Sequence, residues 1–312
     1  MKTSSLGFYG LLILFLSVGC AQLPHSRDFA AKETLLVHAQ NRLGLQVKAT
    51  GCSLGNLGGI HLMTEHAKAH PADLNLEIGP AFHPFLSGPF SKEELIRERK
   101  KVWEGFQEQG VGIYSVDAKD LEPSLSDFVA SAKDTKAVLL STNLVDSKNG
   151  ETLFAPFFIL KFSGKTIAIV SLTEPSDFSR ADWIVIDPLL SFSEVQKTFP
   201  EPVDLIYVLG SLDIQTRKTL SRASKLSVLF LGGAAQERNT TQLEPLDKGN
   251  YYGLTPSYGT GFSEMLLGTN EKEFSQKRSV RRLGGIYHSF YSDLLDEKKK
   301  AGAQCSPPSP GK

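Results

Sequence analysis

Two rhythms of apolar and polar positions take turns along this chain, one with the period of a strand and one with the period of a helix. Leu45 to Ala49 alternates as a short strand, and a glycine-rich loop from Gly51 to Gly59 leads into a helix predicted from Ile60 to Ala69. Leu74 to Ile78 is a second strand, stopped by Gly79-Pro80. Ser91 with Glu94 three residues on is a capping-box signature, and the helix it opens runs to Gly110, the residue type that supplies a left-handed stop. A strand over Gly112 to Val116, a helix over Leu125 to Lys133 and a strand over Val138 to Ser141 follow. Leu153 to Phe162 and Thr166 to Leu172 read as a hairpin pair after the turn signal Asn149-Gly150. Strands at Trp183 to Ile186, Val203 to Leu209 and Val228 to Leu231 are separated by helices at Leu189 to Thr198 and Ile214 to Ala223. Such alternation predicts an α/β sheet covered on both faces.

The two ends differ from this body. Phe262 to Leu267 reads as a closing strand, and Val280, Leu283, Tyr287, Phe290 and Leu294 then fall at helical spacing, predicting a C-terminal amphipathic helix. The tail from Ala301 is rich in proline and serine and is expected to be disordered. At the start, Lys2 precedes an apolar run from Leu6 to Val18 that is too short for a ~30 Å hydrocarbon core and fits the apolar region of an export signal. It ends in Leu16-Ser17-Val18-Gly19-Cys20, which resembles the lipobox of bacterial lipoproteins, with leucine one place further from the cysteine than in the common pattern. That resemblance implies acylation of Cys20, an exported chain and attachment to the membrane of a bacterial cell envelope through an N-terminal lipid.

Composition narrows the function classes. The 34 basic and 34 acidic residues balance, and the only basic block is Lys298 to Lys300, which argues against a nucleic-acid partner. With Cys20 acylated, Cys52 and Cys305 are the remaining thiols, too few and too far apart for a disulfide framework. Cys52 in its glycine-rich loop has no activating group near it in sequence. Hydrophobic residues make up 41% of the chain, enough to build one large domain.

Several segments resemble, in order and spacing, the metal-binding N-terminal domain of the 5′-nucleotidase family within the calcineurin-like metallophosphoesterases. They are Gly58-Gly59-Ile60 opening a helix, Ser141-Thr142-Asn143-Leu144, Leu153-Phe154-Ala155-Pro156-Phe157, and above all Gly164 to Thr173 (GKTIAIVSLT). Val203 to Leu209 and Leu229 to Gly233 complete the set. The resemblance implies a four-layer α/β/β/α metallophosphoesterase-like sandwich, here with the C-terminal amphipathic helix. The expected division is a signal peptide over 1–19, a linker and lead-in over 20–43, the metallophosphoesterase-like domain over 44–270, the helix over 271–300 and the disordered tail over 301–312.

Enzymes of this family hold two divalent ions that polarise a phosphoryl group and generate the attacking hydroxide. The positions that match the family's ligands carry other residues here. The first Asp-x-His is expected near Ala49 to Cys52, the bridging aspartate falls on Pro80, and the Asn-His pair falls on Ala118 and Lys119. A later histidine falls on Ser211 and the final Gly-His-x-His on Gly233-Ala234-Ala235-Gln236. The expectation is therefore no metal cofactor, no catalytic residue and a degenerate relative that binds an envelope protein or a small ligand. The alternative is a phosphoester hydrolase, with nucleotides among its substrates, whose two divalent ions sit in a rebuilt site.

Candidate ligands for such a rebuilt site are His61, His66, His70, His83 and Asp120. His66 and His70 lie four apart on one predicted helix, a spacing that can chelate zinc, and Ile60, Met63 and Ala67 take the apolar stripe, which makes a solvated outer face the competing reading. Tyr251, Tyr252 and Tyr258 in a glycine-rich stretch are candidates to stack on a planar or sugar ligand, or to pack between strands.

Overall fold

The computed structural model describes residues 25–29, 31–41, 43, 45, 50–52, 55–57, 59–83, 91–122, 124–175, 180–233, 243–247, 249–255, 261–270 and 273–282. In chain order the elements begin with β1 (His25–Phe29), β2 (Thr34–Asn41), β3 (Thr50–Cys52), β4 (Gly55–Leu57), α1 (Ile60–Ala69), β5 (Leu74–Ile78), α2 (Lys92–Gln109) and β6 (Val111–Ser115). Then come α3 (Leu125–Ala132), β7 (Val138–Leu140), β8 (Leu144–Asp146), β9 (Phe157–Phe162), β10 (Lys165–Ser171), β11 (Trp183–Val185), α4 (Pro188–Val195) and β12 (Leu205–Leu209). The last are α5 (Ile214–Ala223), β13 (Ser227–Leu231), β14 (Glu244–Pro245), β15 (Tyr251–Gly253), β16 (Gly261–Asn270) and β17 (Glu273–Arg282).

Two sheets face each other. One has seven strands in the order β1-β9-β10-β12-β13-β15-β14, the other six in the order β17-β16-β2-β5-β6-β7. Strand alternation puts Leu35, Val37 and Ala39 of β2 and Leu74, Leu76 and Ile78 of β5 into a central core against Ile167 and Ile169 of β10. The outer face of the six-stranded sheet is covered by α1, α2 and α3, whose Met63, Val102, Phe106 and Phe128 pack with Tyr114. Phe192 and Val195 of α4 and Leu220 of α5 cover the other sheet. The four-layer α/β/β/α sandwich is what the alternating pattern and the resemblance lead one to expect.

Local chemistry explains the best-defined elements. Ser91 Oγ accepts from Glu94 N at 3.2 Å and the Glu94 carboxylate accepts from Ser91 N at 2.9 Å, so two orphan donors of α2 are satisfied reciprocally. Gly110 closes α2 at φ 67°, where a side chain would be strained.

Three expectations are corrected. The lead-in over 20–43 contains strands of both sheets, since β1 pairs in parallel with β9 and β2 lies between β16 and β5. Leu45, expected to open a strand, sits in a turn at φ 56°, and residues 46–49 lie outside the described residues. The helix expected from 271 begins instead as β17, antiparallel to β16 over ten residue pairs. That pairing supplies backbone hydrogen bonds from a neighbour, which a pattern counted along one segment does not contain. Residues 283–300 of the expected helix lie outside the described residues.

Candidate functional site

Strands β2, β5 and β6 run parallel in one sheet, and β10, β12 and β13 in the other, so the carboxyl ends of each set gather at one edge. In open α/β sheets this is the edge where ligands bind. Here it is laced across by direct hydrogen bonds. Ser115 Oγ and Ser171 Oγ are 2.6 Å apart, Thr173 Oγ1 donates to Asp117 Oδ2 at 3.1 Å, and Ser211 Oγ donates to the Gly79 carbonyl at 3.3 Å. Asn143 Nδ2 donates to the Thr173 carbonyl at 2.8 Å while its Oδ1 accepts from Thr173 N at 3.0 Å. The backbones approach closely as well. A Cβ on Gly79 would meet Asp120 Oδ2 at 2.5 Å, and one on Gly232 would meet the Gly210 carbonyl at 2.4 Å.

Behind this seam Asp120 is wholly buried and saturated. Its Oδ1 accepts from Ala81 N and Phe82 N, each at 2.9 Å, and its Oδ2 from Asp117 N at 3.0 Å and Tyr114 Oη at 2.6 Å. Burial, with Asp117 nearby, pushes the Asp120 carboxyl up to about 7, against the pull of those donors. Burial, with Asp120 nearby, also raises Glu77 well above the usual carboxylate range. Phe82, next to the clamped amides, is buried against Trp103 with ring centroids 4.5 Å apart. Asp120 thus fastens the segment after β5 to the end of β6.

The other sequence-predicted positions are distributed as follows. Pro80 is buried behind Gly79; Ala118 is buried in a 3-10 turn (Ala118–Leu121), where Lys119 N donates to Asp117 Oδ1 at 3.0 Å. His83 Nε2 faces Glu122 Oε2 at 3.5 Å. Tyr252 Oη donates to Glu244 at 2.6 Å and its ring lies 4.9 Å from the Arg217 guanidinium, so it packs between β14 and α5, whereas Tyr251 is 39% exposed. His61 and His70 are exposed. His66 turns inward instead and meets His38 of β2 and Glu264 of β16. Cys20, Tyr258, Ala234 and Gln236 lie outside the described residues.

His66 and Asp120 belong to different places. His38, beside His66, stands three residues before the end of β2, roughly 10 Å back along the strand, and β6 is two strands across, roughly another 10 Å. The candidate ligands of a rebuilt site therefore fall in separate places, His66 with His70 on α1 and Asp120 after the end of β6. Strand β2 ends at Asn41. Asn41 is buried there, and its Oδ1 has no hydrogen-bond partner among the described residues. His38 and Glu264 escaped the sequence reading because alternation sets each on the face opposite Leu35, Val37 and Ala39 or Met265 and Leu267, where a polar side chain reads as solvated.

No family model matches this chain, and no curated protein matches its sequence. Solved structures do match in fold. The 5′-nucleotidase precursor from Thermus thermophilus superposes with a TM-score of 0.62 at 16% identity over 86% of this chain and 59% of that one. The sulfate thiohydrolase SoxB of Thermus thermophilus gives 0.64 at 13% identity over 89% and 61%. The calcineurin-like phosphoesterase YfkN from Bacillus subtilis gives 0.56 at 12% identity over 86% of this chain and 97% of that one. The fold is that of the 5′-nucleotidase and calcineurin-like phosphoesterase domain, and this chain spans about three fifths of the length of the first two of these proteins.

Proposed function

We propose that this chain is an exported, lipid-anchored binding or scaffold protein of a bacterial cell envelope that keeps a phosphoesterase fold without its two-metal chemistry. The observation that carries the reading is the Ser211 hydroxyl on the Gly79 carbonyl, a direct contact between the two sheets at the edge where a pair of ions about 3.5–4 Å apart would need room and anionic or imidazole donors. The groups present do not fit that pair. Pro80 offers no side-chain donor atom, Ser115, Ser171 and Thr173 are neutral and bonded to protein partners, and both oxygens of Asp117 and of Asp120 accept from protein donors. Exposed Tyr251 is a candidate contact for a ligand.

The full-length chain, purified in detergent, is expected to hydrolyse neither a chromogenic aryl phosphate nor a nucleoside 5′-monophosphate above the blank in the presence of Mn²⁺ or Zn²⁺. Metal-dependent turnover that survives repurification would overturn the reading. Anchoring is tested separately. Cys20→Ser is expected to move the protein from the membrane fraction to the soluble one and to remove the lipid mass from its N-terminal peptide; unchanged fractionation would remove the anchor from the proposal. Among the described residues no helix is long and apolar enough to cross a membrane.

A further inference from the structure

We propose that His38, His66 and Glu264 form a binding site for one zinc-class divalent cation on the helix-covered face of the six-stranded sheet, away from the strand-end seam. Three elements build it. Leu35, Val37 and Ala39 of β2 face the central core, so alternation sends His38 to the opposite face. Glu264 is the direct cross-strand partner of His38 in the antiparallel β2–β16 pair, and directly opposed residues stand on the same face. Helix α1 buries Ile60, Met63 and Ala67, and His66, three residues after Met63, borders that stripe and reaches the sheet.

The spacing suits a metal better than a direct contact. Glu264 Oε1 lies 3.6 Å from His38 Nε2 and 3.7 Å from His66 Nε2, and one ligand atom from each of the three residues lies within 4.8 Å of the others. Those two separations are long for a hydrogen bond. Metal–ligand bonds of about 2.0–2.2 Å in a tetrahedron put the ligand atoms about 3.4 Å apart, within a few tenths of an ångström of the two Glu264–imidazole separations. The side chains are 0%, 8% and 15% exposed, so a cation here is largely shielded from water. Two imidazoles and one carboxylate select zinc and its neighbours over magnesium and calcium, which prefer all-oxygen shells. His70, exposed at the end of α1 with its ring 4.7 Å from that of His66, or a water supplies the fourth position. A cation bound here ties α1 and the β16–β17 hairpin to β2.

The test is titration of the chelator-treated, full-length protein with Zn²⁺ by calorimetry and with Co²⁺ by visible absorption. The expected result is one equivalent of Zn²⁺ and the intense d–d bands of four-coordinate cobalt, with affinity falling about 100-fold or more in His66→Gln and in Glu264→Gln. His38 is deeply buried, so the decision rests on His66, at the margin of the core, with circular dichroism to show that the variant is folded. Absence of binding at micromolar Zn²⁺, or binding that His66→Gln leaves unchanged, overturns the site. Binding lost in His70→Gln but kept in Glu264→Gln makes it a surface pair on α1 and also overturns it. Two equivalents insensitive to His66→Gln would overturn this site and the empty-seam reading together, whereas phosphoester turnover with one His66-dependent ion would overturn only the latter.

Discussion

Replacing Asp120 by alanine is expected to destabilise the protein by about 3 kcal/mol, because a single buried carboxyl answers four donors and three of them are backbone amides of two separate segments. Chemical denaturation at fixed pH measures it. The same group predicts a pH dependence. Its folded value of about 7 lies above the ordinary 3.8, so the unfolded chain gives up its proton first as pH rises. Stability from Asp120 is therefore complete below pH 3.8 and is lost as pH rises through 7, by at most about 4 kcal/mol. Glu77, also raised, adds in the same direction. The wild type should be measurably more stable at pH 5 than at pH 8. Asp120→Asn should be the weaker protein at pH 5 and lose most of that slope. A slope of opposite sign would mean that the four donors outweigh burial and that the carboxyl is held ionised.

Gly210→Ala is expected to abolish folding or to cost more than about 4 kcal/mol. At φ 146° an alanine is strained, and its Cβ would stand 1.9 Å from the Leu172 carbonyl oxygen, where the end of β12 meets the end of β10. The sheet cannot yield there without parting the β10–β12 ladder that runs through Ser171 and Leu209. Gly150→Ala is the control: φ is 73° but nothing lies within 4 Å of the added methyl, so the cost is conformational alone, about 1 kcal/mol. Soluble yield and melting temperature of the two variants separate the effects. Similar behaviour of both would show that the strand ends are looser than the hydrogen-bonded seam implies.

The same seam explains which site residues could be read in advance. Pro80, Ala118, Lys119 and Ser211 could be picked out because the segments around them resemble the family's in order and spacing. Their new partners were not, since Ser211 and Gly79 lie 132 residues apart and meet only when the two sheets close. Asp120 looked like a stray ligand in sequence and is instead a clamp, because its four donors come from the segment after β5 and the end of β6. His66 looked like one of a solvated helical pair. Its direction depends on how α1 turns against β2 and β16, which the spacing along α1 does not fix.

The helix α2 with its capping box and glycine stop, the β9–β10 hairpin and the repeated strand-and-helix order were all determined by residues close together in the chain, through hydrogen bonds and apolar periods a few residues long. Strand β2, the β16–β17 hairpin and the meeting of His38, His66 and Glu264 were decided only by tertiary structure. The face of β2 turned away from the central core carries His38 and Gln40, and the burial of Gln40 is offset by its Nε2 donating to Gln109 Oε1 at 3.0 Å on α2. A polar position can be buried when a partner far along the chain satisfies it, and only the folded arrangement brings that partner within reach.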